Sequence, residues 1–317
     1  RGIRRHLTIS NLVAIAGLGV AFIRAVVIVG VRRPAVVLSV GGYGGVACAL
    51  AARLWRIPVV TLNVDAVVGA ANRLIGRFAE RSLVAFEGTA IPRAVVTGVP
   101  VREEILAVDR SEPARVAARA ALGVGAGRKL IVFVGGSLGA RRINEVAVGL
   151  RDRYSDRSDL AFRHICGARE HERLVSQARF ITVDSSDTGL EYRLVRYEEK
   201  MSDVLCAADV LVGRAGAMTV AELRVIGLPA ILVPLPGAPG DHQTKNAEAL
   251  ASLGGAVVVP DADATPERLA HEIDAILADD RVAEAMGRAA KAEGSRDAAG
   301  VIAKIIDGIA AHRGERS

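Results

Sequence analysis

Short apolar runs recur along this chain, separated by stretches with helical spacing. Ala35–Val40, Pro58–Leu62, Leu83–Phe86 and Ala94–Thr97 read as strands. An Ala-rich helix follows the first and ends at Arg53, and another lies near Ala70–Ala79. Ser111-Glu112-Pro113, a polar cap with proline in the first turn, opens a helix that ends around Gly123. After the break Gly123-Val124-Gly125-Ala126-Gly127, a second series of strands is predicted at Lys129–Val134, Ala161–Cys166, Leu194–Tyr197, Val210–Val212, Ala230–Pro234 and Ala256–Val259. The tail from Arg281 to His312 is helical and Ala-rich. Strand and helix alternating at this spacing predict an α/β fold with parallel sheets and right-handed crossovers. The boundary is expected near Arg102–Glu103. That gives domains of 1–102 and 103–317, with the final helices packing back on the first domain.

One apolar stretch breaks this rhythm. Leu7–Val31 lies between Arg1, Arg4, Arg5 and His6 on one side and Arg32 and Arg33 on the other. Near the middle of a membrane span Arg24 would cost roughly 2.5–3.5 kcal/mol, against about 0.3–0.6 gained from each strongly apolar neighbour. Hydropathy alone therefore leaves a span open. Gly17, Gly19 and Gly30 weaken a single long helix. The expectation is two short helices of an α/β domain, with one patch facing a membrane surface.

Composition narrows the function. The 317 residues suit about two domains. A hydrophobic content of 51% excludes a disordered chain. Aromatics at 3% argue against a base-stacking nucleic-acid platform. The net charge of +6 fits an anionic ligand or an anionic membrane surface, but is too diffuse for DNA. Cys48, Cys166 and Cys206 are scattered, so neither a disulfide framework nor a metal motif is read. A reducing compartment follows. The chain begins at Arg1 rather than Met, and its start does not read as a signal peptide.

Three strand-to-helix turns carry candidate chemistry. Val134-Gly135-Gly136-Ser137-Leu138-Gly139-Ala140 lets backbone approach a phosphate at a helix N-terminus. It is not the dinucleotide fingerprint, because Ser137 stands where the second glycine would, and the next strand ends in Cys166-Gly167 rather than an acidic residue. Read plainly, Ser137 is an N-cap. Gly213-Arg214-Ala215-Gly216-Ala217-Met218-Thr219-Val220-Ala221-Glu222 joins another strand to a helix. Thr219 and Glu222 have capping-box spacing. A carboxylate at Glu222 could equally accept both hydroxyls of a ribose. Pro234–Ala247 is a Pro/Gly loop leading into a helix capped by Asp241. His242 is more often structural, and Gln243 and Asn246 either solvate the helix or face a ligand. Three such turns in one half describe a pocket for a nucleoside diphosphate with a polar appendage.

The order of these motifs resembles the MurG family of glycosyltransferases. Gly135–Ala140, Arg214–Glu222 and Asp241–Ala247 carry the likeness, with Val36–Tyr43 and Thr97–Arg102 before them. The resemblance implies the GT-B fold, two Rossmann-like domains with a cleft between them. It implies transfer of N-acetylglucosamine from UDP-GlcNAc to an undecaprenyl-pyrophosphoryl muramoyl peptide, lipid I to lipid II, with inversion. Carried over by position, Ser137 meets the diphosphate. Ala217, Met218, Thr219, Val220 and Ala221 line the pocket, with Thr219 near phosphate. Glu222 holds the ribose, Gln243 contacts the sugar and Arg102 pairs with phosphate. Glu198 falls where backbone meets uracil. Gly41, Gly42 and Tyr43 face the acceptor.

The family's His-Glu-Gln-Asn segment is replaced here by Leu62-Asn63-Val64-Asp65, so only Asp65 is expected to keep a donor contact. The family's Gly-rich loop ending in His would precede Arg1. The general base is therefore assigned to no residue of this chain, whose own activity is in question. No cofactor and no metal is implied. The expected partners are an anionic polyprenyl-pyrophosphate lipid, a membrane surface met by Leu7–Arg33, and cell-wall synthesis or division proteins, with no nucleic acid. The expected location is the cytoplasmic face of the bacterial membrane. Another GT-B lipid glycosyltransferase, a UDP-GlcNAc 2-epimerase and a non-catalytic UDP-sugar-binding protein are the competing readings.

Overall fold

A computed structural model describes residues 9–136, 139–176, 189–291 and 296–314, with backbone only for 9–16 and 314. The strands in chain order are β1 (Val37–Ser39), β2 (Val59–Asn63), β3 (Arg81–Val84), β4 (Ala94–Val96), β5 (Lys129–Val134), β6 (Leu160–Ile165), β7 (Glu191–Val195), β8 (Val210–Gly213), β9 (Ala230–Leu232) and β10 (Ala256–Val258). The helices are α1 (Ile9–Arg32), α2 (Gly42–Leu54), α3 (Ala70–Ile75), α4 (Glu103–Leu106), α5 (Glu112–Ala121), α6 (Arg141–Arg153), α7 (Ala168–Ser176), α8 (Met201–Ala207), α9 (Ala217–Ile226), α10 (His242–Ala251), α11 (Pro266–Leu277), α12 (Asp280–Lys291) and α13 (Ala298–Gly314). They form two compact units. The first is Arg1–Pro100 with Asp297–Ser317, and the second is Val101–Arg296. The division thus falls two residues before Arg102, which joins the second unit.

The first unit holds a four-stranded parallel sheet in the order β1-β2-β3-β4. α1 is one continuous helix rather than the two short ones expected. A glycine inside a helix costs only about 0.5–1 kcal/mol relative to alanine, and packing outweighs it. Ala25 and Val29 are buried against Ala47, Ala51 and Ala52 of α2, where small side chains let the helices approach. Gly30 leaves room for the Trp55 ring, since a Cβ there would stand 2.6 Å from it. The Trp55 indole N–H donates to the Val26 carbonyl at 2.9 Å. The opposite face of α1 leaves Val20, Ile23, Val27, Ile28 and Val31 exposed. α13 completes this unit, its Ile302, Ile305, Ile306 and Ile309 packing on Val60, Leu62 and Leu83. Among the described residues no helix is long and apolar enough to cross a membrane.

The second unit holds a six-stranded parallel sheet in the order β10-β9-β8-β5-β6-β7. Its core sets Phe133 edge-on to Phe162, ring centroids 5.0 Å apart. β7 begins three residues before the run that predicted it. Glu191 pairs there with β6 and is buried, accepting from the Gly125 N–H at 2.9 Å beside Arg128 at 3.6 Å. Its charge hides the strand from hydropathy.

The amino ends of β5 and β8 are tied by Asp209. This buried carboxylate takes Arg115 and Arg119, each at 2.6 Å, and the Leu130 N–H at 2.7 Å. Asp209→Ala leaves two guanidiniums and an N–H without their shared acceptor. We expect a loss of about 3–5 kcal/mol in urea unfolding, with Asp209→Asn retaining part of it. A loss below about 1 kcal/mol would show the clamp to be a surface-type pair.

Candidate functional site

Strand order in the second sheet reverses between β5 and β8, which run side by side with Val134 opposite Gly213. The crevice beyond the carboxyl ends at such a reversal is where open α/β sheets receive ligands. Two of the glycine-rich turns predicted from sequence flank it. The first needs its glycines. Gly136 and Gly139 both have φ +82, and a Cβ at Gly135 would run into the Ala140 backbone. Gly139 packs against the Cys166 carbonyl oxygen, and its N–H donates to the Gly136 carbonyl at 2.9 Å. Ser137 and Leu138 lie outside the described residues. α6 then starts with Ala140 at its N-cap, and among the described residues no side chain caps it.

α9 behaves likewise. Its N-cap is Gly216, again without a side-chain cap. The capping-box alternative for Thr219 and Glu222 is therefore overturned, because both sit inside the helix rather than at its cap. Two helix N-termini, each with unsatisfied N–H groups and the positive end of a dipole, border a cavity of about 780 Å³ lined by Gly135, Gly136, Gly139, Arg214, Thr219 and Gln243. A second cavity of about 490 Å³ shares Val134, Gly136 and Thr219 with it. Leu205, Leu211 and Met218 give that one an apolar wall, and Arg196, Tyr197 and Glu198 form a rim.

Glu222 lines the second cavity, its side chain 14% exposed. It accepts from Arg102 at 3.4 Å, and Arg102 also pairs with Glu104 at 2.7 Å. Burial pushes the Glu222 carboxyl up from its ordinary value, and Arg102 opposes that shift. Glu198 turns its carboxylate into the protein, where Arg163 donates to it at 2.7 and 2.6 Å. Of the five residues Ala217–Ala221, Met218 and Thr219 reach a cavity, while Val220 is fully buried in the core.

The third turn serves the first cavity. Gln243 accepts from the Leu235 N–H at 3.0 Å, which leaves its amide nitrogen as the donor. Asp241 sits at the N-cap of α10 in the left-handed region, φ +54, without capping a backbone N–H. Its carboxylate takes the Thr244 hydroxyl at 2.7 Å instead. His242 donates to the Pro239 carbonyl at 2.9 Å and is structural. Asn246 is fully buried and donates to the Ala215 carbonyl at 3.2 Å, so it braces the second turn rather than solvating a helix face. Arg214 braces the third turn through the carbonyls of Val233 and Pro234, and pairs with Asp261 at 2.6 Å. Asp261 gave no sequence signal, being one of several acids in a polar stretch.

Asp65, Gly41, Gly42 and Tyr43 belong to the first unit. All lie at carboxyl ends of strands, Asp65 after β2 and the other three after β1. Gly41 and Gly42 have φ +89 and +72, and Tyr43 is exposed. Asn63 organises the turn around Asp65, donating to the Asp65 carbonyl at 2.6 Å and accepting from Asn72 at 3.1 Å. Among the described residues no group of His, Cys, Asp and Glu is placed to hold a metal ion.

A family model, the glycosyltransferase family 28 C-terminal domain, matches residues 130–302. The chain is a glycosyltransferase of the two-domain GT-B class. It is 37% identical over 283 residues to the UDP-N-acetylglucosamine–N-acetylmuramyl-(pentapeptide) pyrophosphoryl-undecaprenol N-acetylglucosamine transferase of Clavibacter sepedonicus, covering 89% of this chain and 73% of that one. It is 37% identical over 292 residues to the enzyme of that name from Mycobacterium bovis, covering 89% and 68%. Crystalline MurG of Acinetobacter baumannii superposes with a TM-score of 0.74 at 28% identity, covering 97% and 82%. The chain belongs to the MurG family. A UDP-GlcNAc 2-epimerase from Neisseria meningitidis, at 14% identity and a TM-score of 0.65, shares the fold alone.

Arg102 is the opposing influence on Glu222, so Arg102→Ala leaves burial unbalanced. The Glu222 carboxyl should then titrate at a higher pH than in the parent, followed by carboxyl carbon NMR. An unchanged midpoint would show the 3.4 Å contact to be electrostatically idle.

Proposed function

We propose that this protein transfers N-acetylglucosamine from UDP-GlcNAc to a lipid-linked N-acetylmuramoyl peptide, with the donor held in the second unit. The observation that carries this reading is the pair of adjoining cavities at the β5–β8 reversal. One offers two helix N-termini, and the other an apolar wall ending at a carboxylate. Uracil lies against the backbone of Arg196–Glu199, which the part-buried Arg163–Glu198 pair anchors. The ribose hydroxyls donate to Glu222. The diphosphate lies over the Gly135–Ala140 turn near Thr219, with Ser137 in that turn. Gln243 donates to the sugar.

The reaction is an inverting displacement: the acceptor hydroxyl gives its proton to a general base, assigned to no residue of this chain, and its oxygen replaces the UDP oxygen at the anomeric carbon. Negative charge grows on the diphosphate as UDP leaves, and the free N–H groups of α6 and α9 stabilise it without rearranging. Arg102 exchanges Glu222 for phosphate, where its planar donors suit two oxygens. This set of donors suffices without a metal or cofactor. Asp65, Gly41, Gly42 and Tyr43 serve the acceptor side of the first unit, with Asp65 keeping one donor contact.

The acceptor is an anionic polyprenyl-pyrophosphate lipid, so the enzyme works at the cytoplasmic face of the membrane beside other cell-wall synthesis and division proteins. α1 suits that surface. Its outward face presents Val20, Ile23, Val27, Ile28 and Val31, with Arg24 among them and Arg32 and Arg33 at its end. An apolar stripe with basic neighbours lies in the interface of an anionic bilayer.

Three measurements test this. Calorimetry should detect UDP binding to the parent and a loss of about tenfold or more in Glu222→Ala, from the orphaned ribose hydroxyls. Transfer assays should give disaccharide-lipid from UDP-GlcNAc and none from UDP-glucose, whereas free sugar released without any lipid would favour an epimerase. Vesicle sedimentation should show binding to phosphatidylglycerol-containing vesicles that drops about tenfold or more in Ile23→Ser/Ile28→Ser, since each buried isoleucine contributes about 1.5–3 kcal/mol. Equal sedimentation of parent and variant would remove α1 from the docking surface.

A further inference from the structure

Behind the first glycine turn lies a row of polar side chains sealed from solvent, none of them assigned a ligand above. Asn144, in the first turn of α6, donates its amide nitrogen to the Cys166 carbonyl at 3.0 Å. A carbonyl only accepts, so the other amide atom is the oxygen, and it faces His164 Nε2 at 2.8 Å. Nε2 therefore carries the ring proton. His164 Nδ1 must then accept, and the Tyr192 hydroxyl donates to it at 2.5 Å. The hydrogen bonds run one way, from Tyr192 through His164 and Asn144 to the end of β6.

Asn144 and His164 are both fully buried. Burial pulls the His164 pKa down to about 3, so the imidazole stays neutral and its tautomer fixed. Tyr192, His164, Asn144 and the Cys166 carbonyl have given up water here and are linked hydrogen bond by hydrogen bond. An apolar core of the same shape serves stability about as well, so what the row adds is position.

That position bears on the turn. The Cys166 carbonyl held by Asn144 is the atom against which Gly139 packs. The Asn144 N–H also makes the first helical bond of α6, to the Ala140 carbonyl at 2.9 Å. One residue thus ties the start of α6 to the end of β6 directly behind the turn. We propose that Asn144, oriented by His164, is a positioning residue for the donor diphosphate, holding Gly139 and the N-terminus of α6 in place against the end of β6. This rests on the donor-site reading above.

The test compares UDP with uridine, which has the same base and ribose but no phosphate. Both are titrated against the full chain, UDP by calorimetry and uridine by ligand-observed NMR. In Asn144→Ala and His164→Leu, UDP affinity should fall about ten- to hundredfold while uridine affinity changes by less than about twofold. Donor KM should rise more than kcat falls. His164→Gln carries an N–H near the Nε2 position and should recover UDP affinity to within about threefold of the parent. If Asn144→Ala does not fold, Asn144→Asp decides, because it keeps the acceptor for His164 and loses the donor to Cys166. It must show the same selective loss. Equal losses for UDP and uridine, or unchanged UDP affinity in a folded variant, overturn the proposal. Glu222→Ala run in parallel separates the two readings. If it leaves both affinities untouched, the donor site is wrongly placed and this assignment falls with it.

Discussion

The reversal of strand order between β5 and β8 is the constraint on which the second unit depends. Where two neighbouring parallel strands send their chains to opposite faces, no helix covers their carboxyl ends, and a crevice opens there. Everything polar in the site is gathered at that opening. The turns after β5 and β8 each deliver a helix N-terminus without a side-chain cap, and the turn after β9 delivers Gln243. Uncapped helix starts waste hydrogen-bonding capacity unless something else meets it. Here two of them border one cavity.

Much of the scaffold was legible in the chain because parallel strands buried on both faces read as unbroken apolar runs. The Val210–Gly213 and Lys129–Val134 strands are of this kind, and the glycine turns after them are visible as composition. Where reading failed, burial of charge or the influence of a distant partner was responsible. Glu191 falls outside the predicted run Leu194–Tyr197 because nothing local announces Arg128 and the Gly125 N–H as its partners. α1 looked breakable because Trp55, which fills the space over Gly30, is remote in sequence. Thr219 and Glu222 mimicked a capping box because that motif is a spacing, and spacing does not say where a helix starts.

The candidate site divides in the same way. Thr219, Glu222 and Gln243 were readable as polar residues in strand-to-helix turns, and all three line the cavities. The residues behind them were not. Asn144 and Asn246 look like ordinary helix-surface amides, and His164 follows Arg163 in an otherwise apolar strand with nothing nearby in sequence to mark its role. Each acquires its role only when folding brings a carbonyl or a second side chain to it. Pattern reveals groups aimed at a ligand more readily than groups aimed at other groups.

The Arg102–Glu222 pair has a consequence for how the pocket responds to its surroundings. A pocket lined by an unaccompanied cation would attract any small anion, inorganic phosphate included. With Glu104 and Glu222 as internal counter-charges, Arg102 is already accompanied, and a ligand that takes it from Glu222 must satisfy that acid as well. On the proposed donor-site reading, a nucleoside diphosphate satisfies both, its sugar hydroxyls meeting Glu222 and its phosphates Arg102. A simple anion offers only half of that exchange and leaves the largely covered Glu222 carboxylate without its partner. On that reading, discrimination against small anions is built into the resting protein.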